Sequence, residues 1–340
     1  MTYLMVLGGL VLLFIGGEAL VRGSVSVARK LNISELVIGL TLVGFGTSVP
    51  ELVTSLRAID QDAVGIAVGN VVGSNIANIL LVLGVAAMIR PILTNPRALA
   101  RDGLIMLAVT ALLCALIWFD LFSRPVGIAL LGALLVYLTY SFVADQRRGN
   151  AAAAMHMAEG ETVEARYGLF LGLVIAVAGL VGVVFGARLL VDGGVVIARE
   201  FGISETIIGL TIVAVGTSLP ELVTSAVAAY RGKSDVALGN IIGSNIFNVL
   251  GILGITAVVH PFSVRSDISA EAMSQGHHAS IISSEDIGAL ILSVFLLMLF
   301  AMTGRRIARW EGAVLLLAYA LYFGLLFDLV PVPGILPHVR

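Results

Sequence analysis

Ten apolar runs separated by short polar stretches divide the chain. They cover about 3–28, 35–58, 63–89, 101–119 and 125–143, then about 167–198, 205–229, 233–259, 287–303 and 308–328. Each is near the roughly 20 residues that a helix needs to cross a hydrocarbon core of about 30 Å, or longer, and the longer ones have room to tilt. The pattern predicts an all-α polytopic membrane protein with ten transmembrane helices. The first run is too long for the apolar region of a signal peptide and no small-residue cleavage site follows it, so it is expected to stay as a span.

Polar residues inside these runs repeat. Gly46-Thr47-Ser48-Val49-Pro50-Glu51 lies in the second run and recurs as Gly216-Thr217-Ser218-Leu219-Pro220-Glu221 in the seventh. The offset of 170 residues also maps Gly69-Asn70 onto Gly239-Asn240 and Gly73-Ser74-Asn75-Ile76 onto Gly243-Ser244-Asn245-Ile246. From Ile33 to Gly84, 29 of 52 positions match their partners without a gap, which identifies an internal duplication. Five spans per copy is an odd number, so the copies must cross in opposite directions. The expectation is two inverted five-helix repeats, residues 1–143 and 167–340, joined by a short polar, Ala-rich cytoplasmic linker at 144–166. That linker is too small to be a regulatory domain.

Composition agrees: the chain is 59% hydrophobic and 12% charged, with a mean hydropathy of +1.04. A net charge of −2 gives no bias toward nucleic acid. Cys114, the one cysteine, cannot form an internal disulfide and reads as a small buried apolar residue. If the N-terminus faces outward, 14 of the 20 Lys and Arg fall on the inner side, so the positive-inside rule places both termini outside. Glu18 and Arg22 read as an interfacial i,i+4 pair, and Asp192 has the same reading. The polar stretch Ser266–Ser284, with His277 and His278, reads as a solvated loop.

Each copy puts one Glu beside a Pro and several hydroxyls at membrane depth, where a carboxylate costs roughly 2.5–3.5 kcal/mol even on the lenient insertion scale. Pro50 and Pro220 lack an N–H and clash with the preceding turn, so helices 2 and 7 are expected to break there. Breaking frees carbonyls around 44–47 and 214–217, a backbone tolerated at this depth only when packed in protein or lining a cavity. Thr47, Ser48, Thr217 and Ser218 add neutral oxygens; Ser74 and Asn78, like Ser244 and Asn248, share a helix face at i,i+4 spacing. An all-oxygen cage with two carboxylates suits Ca²⁺ and Na⁺ and is wrong for zinc or copper. The reading is that Glu51 and Glu221 together bind metal cations at the bilayer midplane. The glycines at 69, 73, 239 and 243 read as close-packing steps between helices.

Two ionised Glu are neutralised by one Ca²⁺ or two Na⁺, so the ions should compete, and competition is the basis of exchange. If three Na⁺ exchange for one Ca²⁺, one charge moves per cycle and the membrane potential contributes about 2.3 kcal/mol per 100 mV.

The motifs GTSVPELVTS (46–55) with GNVVGSNIANILLVLG (69–84), and GTSLPELVTS (216–225) with GNIIGSNIFNVLGILG (239–254), resemble the α-repeats of the cation/calcium antiporter superfamily, in particular the prokaryotic sodium/calcium exchangers. The resemblance covers essentially the whole chain. It implies Ca²⁺ and Na⁺ as substrates, Ca²⁺ extrusion driven by the Na⁺ gradient, and a place in a prokaryotic plasma membrane. It also implies a ligand set of Glu51, Glu221, Thr47, Ser48, Thr217, Ser218, Ser74, Asn78, Ser244 and Asn248, with backbone oxygens of Gly44 and Ala214. Some exchangers of this kind carry Asp at the position of Asn248; Asn removes a titratable group there. No resident cofactor is expected.

The alternative on the same fold is a cation/proton antiporter, with protons replacing Na⁺ on the two Glu. A channel is disfavoured because nothing resembles a re-entrant filter and inverted copies point to alternating access. An enzyme is disfavoured because Ser48 and Ser218 have no His or Lys nearby to act as base.

Overall fold

The structure is a computed structural model and describes residues 2–94, 96–159, 167–201, 214–264 and 282–326. Within them the chain is almost entirely helical. The first half comprises α1 (Thr2–Lys30), α2 (Glu35–Thr47), α3 (Val49–Asp60), α4 (Val64–Ile89), a two-residue strand β1 (Ile92–Leu93), α5 (Pro96–Phe119) and α6 (Arg124–Glu159). The second comprises α7 (Leu169–Glu200), α8 (Ala214–Thr217), α9 (Leu219–Tyr230), α10 (Ser234–Val259), α11 (Ser284–Thr303), β2 (Arg306–Ile307) and α12 (Arg309–Leu326). The strands pair antiparallel, Ile92 opposite Ile307.

Seven of these helices are long and apolar enough to cross a bilayer alone, and the bent pair α2–α3 makes an eighth, among the described residues. The protein is thus a helical polytopic membrane protein. The first nine residues of the seventh expected run, 205–213, lie outside the described residues, as do His277, His278 and most of the polar loop around them. The apolar part of α6 ends at Ala144, and the helix continues through Glu159 into the expected linker, where the Ala-rich stretch 151–154 is a strong helix former.

The duplication is visible as geometry. α4 and α10 begin and end 170 residues apart, and each widens into a π-helical turn at the equivalent place, Asn78–Val82 and Asn248–Ile252. Such turns are frequent at functional sites. α2 and α3 meet at 43°, with the break at Ser48 and Pro50 in the first turn of α3. The expected break at Pro50 is therefore present, and the helix after it starts where a missing N–H costs nothing.

Two glycine seams set helix spacing. In α1, Gly9 lies against Gly186 and Leu190, Gly16 against Gly179 and Val183, and Gly23 against Gly172 and Ala176 of α7, so the two helices run antiparallel. A Cβ at Gly16 would stand 2.7 Å from the Val183 nitrogen, a distance no side chain accepts. In the second seam Gly239 and Gly243 of α10 pack on the backbone of Leu36, Gly39 and Leu40 in α2. Phe45 and Phe247 stack at 4.5 Å beside it. The corresponding Gly69 and Gly73 of α4 have no such neighbour among the described residues and are half-buried, so of these four expected close-packing steps the second pair makes one with described residues.

Candidate ion-binding site

Glu51 and Glu221 sit in the first turns of α3 and α9, immediately after the helix breaks. Both are only 1% exposed, although they occupy an apolar protein. They face protein rather than lipid, and Ser48, three residues before Glu51, reaches the Glu221 carboxylate with its hydroxyl. Unpaired N–H groups at a helix start favour negative charge, so both breaks present an environment suited to a carboxylate.

An asparagine fastens each Glu-bearing turn to the neighbouring helix. Asn70 donates to the Glu51 carbonyl at 3.1 Å and to Ser55 Oγ at 3.0 Å. Asn240 repeats this with the Glu221 carbonyl at 3.3 Å and Ser225 Oγ at 2.9 Å. Asn240 Oδ1 also accepts from Thr47 Oγ1 at 3.1 Å, tying the first break to α10. The sequence signal for these four residues was the duplication itself, which repeats all of them, but their role as clamps follows only from the contacts.

The two halves are wired into one another. Ser48 donates its hydroxyl to Glu221 Oε1 at 2.9 Å. Ser244 donates to the Gly44 carbonyl at 3.0 Å, and Thr47 Oγ1 approaches the same oxygen at 3.3 Å. The Ser48 backbone N–H also reaches it at 3.3 Å, so the break does not leave this carbonyl bare as the sequence suggests. Thr47, Ser48, Ser218, Ser74, Asn78, Ser244 and Asn248 are all buried; Thr217 is half-buried. For Ala214 the backbone alone is described, at the start of α8.

Four acceptor oxygens of the expected ligand residues are buried without a donor among the described residues: Glu51 Oε2, Glu221 Oε2, Asn78 Oδ1 and Asn248 Oδ1. They form two pairs related by the 170-residue offset. A buried polar atom left unmade costs on the order of 1–3 kcal/mol, and more when charged. Four unsatisfied acceptors, with no unsatisfied donor among these site residues, describe a place for a hard cation. No group of three His, Cys, Asp or Glu is found among the described residues. The candidate donors gathered here are two carboxylates and neutral oxygens, a set that suits a hard cation better than zinc or copper.

The sequence profile of the family described as sodium/calcium exchanger protein matches residues 1–143 and 171–327. The chain is 35% identical to the sodium/calcium exchanger MaX1 of Methanosarcina acetivorans, over 96% of this chain and 98% of that protein. It is 37% identical to the putative antiporter CaxA of Alkalimonas amylolytica, over 95% and 98%. Among solved structures it superposes on the sodium-calcium exchanger NCX_Mj soaked without Na⁺ and Ca²⁺ with a TM-score of 0.77, at 35% identity, covering 94% of this chain and 97% of that one.

Proposed function

The chain belongs to the sodium/calcium exchanger protein family, and on that premise we propose that it is a secondary active antiporter exchanging Na⁺ for Ca²⁺ by alternating access. The observation that carries the proposal is the set of four buried, donor-less acceptors, Glu51 Oε2, Glu221 Oε2, Asn78 Oδ1 and Asn248 Oδ1. A cation supplies what each of them lacks. In this reading Thr47, Ser48, Thr217, Ser218, Ser74 and Ser244 complete the shell with hydroxyl oxygens, and Gly44 and Ala214 with carbonyls. If the hydroxyls of Ser244 and Thr47 rotate about their C–O bonds, the Gly44 carbonyl keeps the Ser48 N–H and has its second lone pair open to the ion.

Charge decides the coupling. Two carboxylates hold one Ca²⁺ or two Na⁺ at neutrality, so each ion displaces the other from oxygens they share. Ten spans in two inverted repeats, 1–143 and 167–340, joined through 144–166, complete the account. The antiparallel run of α1 against α7 supports this, because Gly9 and Gly16 correspond by the repeat to Gly179 and Gly186. Both termini lie outside a prokaryotic plasma membrane.

The test is Ca²⁺ uptake into proteoliposomes under an imposed Na⁺ gradient and, separately, under a pH gradient at zero Na⁺. Exchange predicts uptake in the first arm and little in the second. Equal uptake driven by pH alone makes the protein a cation/proton antiporter instead.

A further inference from the structure

Asn75 lies one residue from Ser74 and one helical turn from Asn78, yet its side chain turns to the other half. Its Nδ2 donates to the Asn245 carbonyl at 3.4 Å, and its Oδ1 accepts from Asn248 Nδ2 at 3.0 Å. It is 1% exposed, at the contact between α4 and α10.

That second bond matters because Asn248 is an amide. A carboxylate offers oxygen whichever way it turns, whereas an amide offers oxygen at one end and two N–H donors at the other. An Asn248 turned the wrong way would point N–H at a cation. With Nδ2 held by Asn75, the oxygen is the end left over, and Asn248 Oδ1 is indeed buried without a donor.

The repeat supplies an internal comparison. Asn245, the counterpart of Asn75, donates instead to the Ile241 carbonyl of its own helix at 2.7 Å, and its Oδ1 has no donor. It therefore does not accept from Asn78. The clamp is present on one side of the site.

We propose that Asn75 is a positioning residue that fixes the Asn248 carboxamide with its oxygen toward the ion, which allows this chain to bind Ca²⁺ with an amide where some exchangers use Asp. The proposal rests on the exchanger reading above. Residues that orient a metal ligand typically change metal affinity about 10–100-fold when removed.

The experiment is equilibrium ⁴⁵Ca²⁺ binding to the purified full-length protein as wild type, Asn75→Leu, Asn248→Asp and the double variant. Asn75→Leu weakens Ca²⁺ binding by roughly tenfold or more in the Asn248 protein, and by less than about threefold in the Asn248→Asp protein, where no amide needs orienting. The same fold-loss in both backgrounds, or no loss in either, overturns the proposal and leaves the exchanger reading intact. Should Asn75→Leu fail to insert, Asn75→Ser, one bond too short to reach Asn248, carries the same comparison. Wild-type protein that binds no Ca²⁺ overturns both.

Discussion

Ser48, at the break between α2 and α3, donates its hydroxyl to Glu221 Oε1 at 2.9 Å, across the boundary between the two halves. Neither half therefore builds the site alone. A hydrogen bond to a charged group is worth roughly 1.5–3 kcal/mol. Ser48→Ala is expected to raise the Ca²⁺ concentration for half-maximal uptake about tenfold or more, read from initial rates in proteoliposomes. Unchanged kinetics would show that this hydroxyl neither orients Glu221 nor touches the ion.

Glu51→Gln and Glu221→Gln keep side-chain volume and remove charge. Each is expected to reduce Na⁺-driven Ca²⁺ uptake at least about a hundredfold, while the protein still inserts and elutes as a single species in detergent, because the cost of a buried carboxylate at membrane depth disappears with it. Normal transport by either variant removes that carboxylate from the ligand set.

The glycine seam between α1 and α7 makes a separate claim about packing. Gly16→Ala places a Cβ 2.7 Å from the Val183 nitrogen, whereas one at Gly8 meets nothing within 4 Å among the described residues. Overpacking of this kind costs roughly 1–3 kcal/mol, so Gly16→Ala lowers the detergent melting temperature by several degrees and Gly8→Ala leaves it in place. Equal melting of the two variants contradicts the close approach.

Glu18 bonds Arg22 on its own helix and takes a second, bidentate partner in Arg231, with both contacts at 2.7 Å. The Arg231 side chain is 41% exposed, so solvent screens the pair and its worth is at most about 1 kcal/mol. Arg231→Gln should therefore shift melting only slightly, and the small difference should vanish in high salt. A loss of several kcal/mol would mean that this contact holds a conformation rather than a surface.

The parts of this account that were legible in the sequence are those the duplication doubles. The break at Pro50, the burial of Glu51 and Glu221, and the equal lengths of α4 and α10 all follow from motifs repeated at a fixed offset. The pairing of Glu18 with Arg22 followed from i,i+4 spacing, but its third member, Arg231, is remote in sequence. Cross-half wiring was not legible for a physical reason: identical motifs cannot tell which serine reaches which carboxylate. The π-turns at Asn78 and Asn248 carry no residue signature, since a change of backbone register needs no special side chain. The α1–α7 seam was written in plain view, as glycines at 9, 16 and 23 against 172, 179 and 186, but seven-residue spacing alone does not name the partner helix.

The most direct test of one shared site is displacement of ⁴⁵Ca²⁺ from the purified protein by Na⁺, at constant ionic strength. Na⁺ should remove Ca²⁺ completely and with a Hill coefficient above one, since more than one Na⁺ replaces each Ca²⁺ on Glu51 and Glu221. Ca²⁺ that stays bound at saturating Na⁺ would contradict the account.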